Sequence, residues 1–208
     1  MTAANVYGSD VAMKEKYILV TFPDVPLDYW SMEQVISCVD AGIVQGYPDG
    51  MYKPTVAITR DQMAVYISRA LAKGDSNVPD AGAQVFPDVT KDHWAFKYIQ
   101  FANAQGVVQG YPDGTYGPSI QLDRGQMAVF IARAIATPTG DAGLASYSPG
   151  ATDTFPDVAS DYWAFKYIGY VKYRTVVQGY PDGTYRPDVI CTRDQMAVYV
   201  ARAFQLPL

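Results

Sequence analysis

The chain has 208 residues, 49% of them hydrophobic and 18% charged, enough to bury a core without metal or disulfide support. A formal net charge of -5 excludes a phosphate-backbone ligand, which needs clustered Lys and Arg to release counterions. No apolar run reaches the length of a membrane span, and Met1 to Val20 has neither the basic start nor the apolar stretch of a signal peptide.

Residues 1–21, with Tyr17-Ile18-Leu19-Val20 near their end, read as an N-terminal extension, an added strand or a contact segment. From Phe22 onward one unit is written three times, at 22–72, 86–136 and 155–208, with linkers at 73–85 and 137–154. The step from the opening Phe to the Arg that starts the second helix is constant (Phe22 to Arg60, Phe86 to Arg124, Phe155 to Arg193), so insertions are confined to the linkers. The second of these is rich in Gly, Ser, Pro and Thr and reads as a surface linker.

Each unit opens with Phe-Pro-Asp-Val and then Asp-x-Trp, at Asp28/Trp30, Asp92/Trp94 and Asp161/Trp163. A first helix starts there. Its apolar stripe has the spacing i, i+4, i+7: Ser31, Val35 and Cys38; Ala95, Ile99 and Ala102; Ala164, Ile168 and Val171. Next comes Gln-Gly-Tyr-Pro-Asp-Gly-x-Tyr, beginning at Gln45, Gln109 and Gln178, in which Pro presets φ and Gly supplies a positive φ for a tight reversal. The flanking tyrosines, such as Tyr111 and Tyr116, read as packing residues.

The second helix is announced by Thr59-Arg60-Asp61-Gln62 and Thr192-Arg193-Asp194-Gln195, which fit a capping box; in the middle copy Asp123 takes over as N-cap, with Gln126 three residues later. Met63, Tyr66, Ile67 and Ala70 and their counterparts then keep a helical period. A pair of short amphipathic helices cannot bury both apolar faces alone, so the units must pack on one another. The expected architecture is mainly α: three helix-loop-helix repeats in a pseudo-threefold cluster, with one helix per unit forming a central bundle. Cys38 and Cys191 stand where other copies have Ala, Val, Ile or Leu, and read as small core residues.

The order Phe-Pro-Asp-Val, Asp-x-Trp, Gly-Tyr-Pro-Asp-Gly-x-Tyr-x-Pro and Thr-Arg-x-x before a helix resembles the S-layer homology repeat of bacterial surface proteins, over roughly residues 22 to 204. The resemblance implies a non-catalytic anchoring module that acts outside the cell, at the bacterial cell surface or wall. Its grooves between repeats would hold a secondary cell wall polymer, often with pyruvylated sugars, or a peptidoglycan-linked glycan. The family's Thr-Arg-Ala-Glu is here Thr-Arg-Asp-Gln twice and Asp-Arg-Gly-Gln once. The acidic Asp123 beside Arg124 is expected to weaken anion binding in the groove that repeat supplies. The alternative, from another class, is a structural subunit that self-associates into a layer, tube or filament.

The candidate ligand-binding residues are Arg60, Arg124 and Arg193, Trp30, Trp94 and Trp163, and Gly46, Gly110 and Gly179. Each Arg adds a planar fork to a helix N-terminus whose free N–H groups favour an anion; the competing role is an ion pair with an Asp such as that of Phe-Pro-Asp-Val. Each Trp serves as a core anchor or offers a flat face and an indole N–H to a sugar. Each Gly admits a ligand to the backbone or serves the turn. His93, the sole histidine, aligns with Tyr29 and Tyr162 and reads as an aromatic filler. With no Ser/His/Asp set, no Cys/His metal spacing and no phosphate-binding Gly loop, the sequence implies no enzyme, no cofactor and no metal. A carboxylate-pair glycosidase is the weak remaining option.

Overall fold

The computed structural model describes residues 22–80 and 82–208. Six α-helices follow one another: α1 Met32–Asp40, α2 Arg60–Ala72, α3 Phe96–Ala104, α4 Arg124–Ile135, α5 Phe165–Tyr173 and α6 Arg193–Ala203. Odd-numbered helices are the first of each repeat and even-numbered ones the second. Among the described residues there is no strand, only three isolated antiparallel bridges. The mainly helical expectation is met, and the chain's N-terminal extension lies outside the described residues.

The stripes predicted for the first helices are fully buried: Val35 and Cys38, Ile99 and Ala102, Ile168 and Val171 expose 1% or less. What they face is less obvious. α1 packs on α6, α3 on α2, and α5 on α4, so each first helix is covered by the second helix of the preceding repeat, the first repeat taking the third as its predecessor. The backbones of the two helices of a single repeat do not come close to one another. The second helices also contact one another pairwise (α2 with α4, α4 with α6, α2 with α6) and are buried almost all round, as a central set must be.

Backbone hydrogen bonds close the same cycle. The Ile58 N–H donates to Cys191 O, Cys191 N–H to Leu122 O, and Leu122 N–H to Ile58 O, at 2.8–3.0 Å. One step further on, Arg60 N–H donates to Ile120 O, Arg124 N–H to Val189 O and Arg193 N–H to Val56 O. The opening amides of the central helices, expected to be free for an anion, are thus consumed by carbonyls of the next repeat.

Two local expectations are corrected. The linker 137–154 is not simply a surface strap, because Leu144 is buried to 1% exposure and Asp141 is drawn onto Arg133 by two hydrogen bonds. The capping box is present in the first copy but not in the third. Thr59 N–H reaches Gln62 Oε1, but Gln195 Oε1 has no partner, and in both copies it is the second residue, Asp61 or Asp194, that accepts the Gln backbone N–H. In the middle copy Asp123 caps as expected, accepting Gln126 N–H at 2.7 Å. Cys38 and Cys191 are buried free thiols, and burial pushes the Cys38 thiol up to about 12.

Candidate functional site: clefts at the seams between repeats

The Phe-Pro-Asp-Val segments organise the loops. Asp24, Asp88 and Asp157 each accept two backbone N–H groups from the residues at and after the buried tyrosine of their own loop (Tyr52 and Lys53, Tyr116 and Gly117, Tyr185 and Arg186). Those carboxylates are therefore committed to backbone, and the ion pair with the helix-opening Arg does not form. The Phe rings press on the glycines: a Cβ at Gly46 would lie 2.3 Å from Phe22, at Gly110 2.7 Å from Thr115 O and 2.8 Å from Phe86, and at Gly179 2.6 Å from Phe155. It is the Phe ring and a loop carbonyl, not open space for a ligand, that require glycine at these positions.

Arg60, Arg124 and Arg193 expose only 5%, 4% and 2% of their surface. Each reaches into the loop of the next repeat. Nε of Arg60 donates to Tyr116 O, of Arg124 to Tyr185 O and of Arg193 to Tyr52 O, at 2.7–2.8 Å. The same tyrosines return the bond, their buried hydroxyls donating to the backbone carbonyls of Arg60, Arg124 and Arg193. Each guanidinium also lies over tyrosine rings, Arg60 over Tyr111 and Tyr116 at 4.7 and 4.6 Å. The expectation of three solvent-open forks is thus corrected: the cations are held by carbonyls and ring faces, without a carboxylate, as clasps between repeats.

The remaining donors differ from copy to copy. Nη1 of Arg193 donates to the Tyr66 hydroxyl and Nη1 of Arg124 to the Tyr199 hydroxyl, but Phe130 occupies that place beside Arg60. Nη2 of Arg60 and of Arg193 donates to Gln109 O and Gln45 O, a bond that Arg124 lacks. Among the described residues, Arg60 and Arg124 each line a cavity.

The first cavity, about 500 Å³, is lined by Arg60 from repeat 1, by Gly110, Asp123, Gln126 and Phe130 from repeat 2, and by Trp163 from repeat 3. The second, about 450 Å³, is lined by Arg124 from repeat 2, by Gly179, Gln195, Tyr199 and Arg202 from repeat 3, and by Trp30 from repeat 1. The structure brings Arg, Gly and Trp together across three repeats. Asp123 lies not in the cleft of its neighbour Arg124 but in that of Arg60, which follows from the cyclic packing.

The tryptophans are not core anchors. Trp30, Trp94 and Trp163 expose 60%, 59% and 56%. The indole N–H of Trp30 donates to Asp194 and that of Trp94 to Asp61, which orients the rings. Gly125 replaces this Asp in the middle copy, so Trp163 keeps only the neighbouring Tyr162 hydroxyl, where Trp30 has both Tyr29 and Asp194. His93 is a half-buried ring stacked on Trp94, with Nδ1 accepting Ala95 N–H.

Sequence reasoning missed Arg133 and Arg202, which recur with Arg69 on one face of the second helices. Arg69 pairs with Asp75 and Arg133 bidentately with Asp141, whereas Arg202 is exposed and its polar contact is to Val176 O. Their i+9 step from the clasp arginines was legible in all three copies.

Three interlocked helix-loop-helix units with clefts at their seams define an all-helical tandem-repeat module. The chain belongs to the S-layer homology domain family, which matches it at residues 21–64, 85–128 and 154–197. It is similar to the cell surface glycoprotein 1 of Acetivibrio thermocellus (29% identity, covering 78% of this chain and 7% of that one) and to the cellulosome-anchoring protein of the same organism (29%, 79% and 35%). It also resembles an S-layer protein of Bacillus licheniformis, with 37% identity over 62% of this chain and 14% of that protein. The chain therefore spans about a third or less of the length of these relatives. No helix among the described residues is long and apolar enough to cross a membrane.

Proposed function

We propose that the chain is a non-catalytic module that holds a protein at the bacterial cell surface by gripping an anionic wall glycan, a secondary cell wall polymer or a peptidoglycan-linked glycan, in its seam clefts. The observation that carries this is the Arg124 cleft: two arginines, an exposed Trp30 and no carboxylate line it. A guanidinium in a partly dry cleft receives a sugar carboxylate, such as a pyruvate ketal, by charge-assisted hydrogen bonds, and an indole face covers the C–H side of the ring. The relatives' names, an anchoring protein and an S-layer protein, point the same way. Of the two clefts, only that of Arg60 presents a carboxylate, Asp123, so neither shows the facing acid pair that glycoside cleavage uses.

The test is sedimentation with isolated cell walls, before and after removal of the non-peptidoglycan polymer. Binding should fall when the polymer is stripped, and Arg202→Ala, an exposed change that leaves the clasps intact, should weaken binding by about tenfold, the worth of one charge-assisted contact. Undiminished binding to stripped walls would overturn the polymer as the ligand.

A further inference from the structure

The two clefts are built from the same repeat positions, yet three substitutions and one altered pairing in or beside the Arg60 cleft change its chemistry. Phe130 stands where Tyr66 and Tyr199 cover the other clasps, so Arg60 Nη1 has no hydrogen-bond partner among the described residues, and Arg60, although 95% buried, lines the cavity. Gly125 stands where Asp61 and Asp194 hold a tryptophan N–H, so no carboxylate among the described residues holds the indole of Trp163. Asp123 stands where the other copies have Thr, placing a negative charge in the cleft within electrostatic reach of Arg60. Arg133 is held bidentately by Asp141, while its counterpart Arg202 is bound only to a carbonyl.

The Arg60 cleft therefore carries a carboxylate of its own, Asp123, and its second arginine, Arg133, is already paired with Asp141. An incoming carboxylate would satisfy Arg60 but would meet Asp123, and like charges in a partly dry site repel. What the cleft lacks is a group that both accepts and donates. Arg60 Nη1 seeks an acceptor, and Gln126, like Gln195 in the other cleft, lines the cavity and carries an Oε1 without a partner that seeks a donor. A sugar hydroxyl meets both needs, and Trp163 and Phe130 supply apolar surface for its C–H face.

We propose that the Arg60 cleft takes an uncharged pyranose, with Phe130 and Asp123 setting that preference, while the Arg124 cleft takes the anionic residue of the same glycan. This rests on the reading of the protein as a glycan-holding module. Two unlike subsites on one rigid body would read a repeating polymer in register and gain avidity from it.

The test uses the whole chain and a matched pair of probes, methyl β-D-glucopyranoside and methyl β-D-glucuronide, which differ by a carboxylate. The indole N–H resonance of Trp163, assigned through Trp163→Phe, should move with the glucoside at concentrations where the glucuronide leaves it in place. Phe130→Tyr introduces the residue that the other two clasps already carry, so the fold tolerates it; the new hydroxyl should occupy Arg60 Nη1 and weaken the Trp163 response about tenfold. Asp123→Asn should let the glucuronide in. The proposal is overturned if the glucuronide moves Trp163 at lower concentration than the glucoside, if the glucoside leaves Trp163 unmoved, or if Phe130→Tyr changes nothing. Wall sedimentation of the same samples separates the two ideas: intact wall binding with a failed Trp163 result sinks only the assignment of this cleft.

Discussion

A buried guanidinium without a carboxylate is tolerable only where its N–H groups are otherwise met, and here carbonyls, hydroxyls and ring faces meet most of them. The clasp is reciprocal, since Arg124 Nε donates to Tyr185 O and the Tyr185 hydroxyl donates to Arg124 O across a repeat boundary. Removing that hydroxyl leaves a buried carbonyl short of a partner without opening a large cavity. Tyr185→Phe should therefore destabilise by about 1–3 kcal/mol, seen as a lower urea midpoint with an unchanged slope. A variant as stable as the parent would show that the hydroxyl contributes nothing net. The environment agrees: burial raises the Tyr185 phenol well above its ordinary value, so it stays a neutral donor at any working pH.

At the scale of elements, the cap of α4 differs in kind from those of α2 and α6. Burial raises the Asp123 carboxyl, helped by the nearby Asp188 and opposed by the N–H of Gln126 and by Arg60. For a carboxyl with a raised folded-state pKa, the ionised form is penalised in the fold. That penalty is complete above the raised value and disappears as pH falls toward the ordinary carboxylate value of 3.8. Asp123→Asn keeps a good N-cap acceptor and removes the charge, so its stability relative to the parent should be greatest at neutral pH and shrink on acidification. Urea unfolding of both proteins across the acid range checks this, and a gap independent of pH would contradict it.

The same element shows what the sequence could and could not reveal. The stripe Ala95, Ile99 and Ala102 was legible because helical periodicity is a local property. Which helix covers it was not, because three copies of one pattern fit equally well whether a helix packs within its repeat or on its neighbour. Arg60 was legible as important through its triplication, but its acceptors, Tyr116 O and Gln109 O, are backbone atoms that carry no residue signature. Trp163 was legible as a core anchor or a sugar-facing ring, and nothing local announced that the residues it shares a cleft with come from the other two repeats.

For the whole molecule, the cyclic exchange makes the three repeats parts of one cooperative unit. Each first helix is covered by the preceding repeat's second helix, and the hydrogen-bond cycle of Ile58, Leu122 and Cys191 needs all three members. In an open solenoid a terminal repeat can melt alone; here removing repeat 3 strips α1 of α6, α4 of α5, Arg124 of Tyr185 O and Tyr52 of Arg193 O. Every remaining repeat loses a buried face. The described chain should thus unfold in a single calorimetric transition, with calorimetric and van't Hoff enthalpies equal, and a fragment of residues 22–136 should show no cooperative transition. Two resolved transitions, or a fragment that melts sharply, would mean that the repeats stand alone and the seams between them are secondary contacts. The seam clefts inherit this dependence, because each draws its Arg, its loop and its Trp from three different repeats and exists only while the ring is closed.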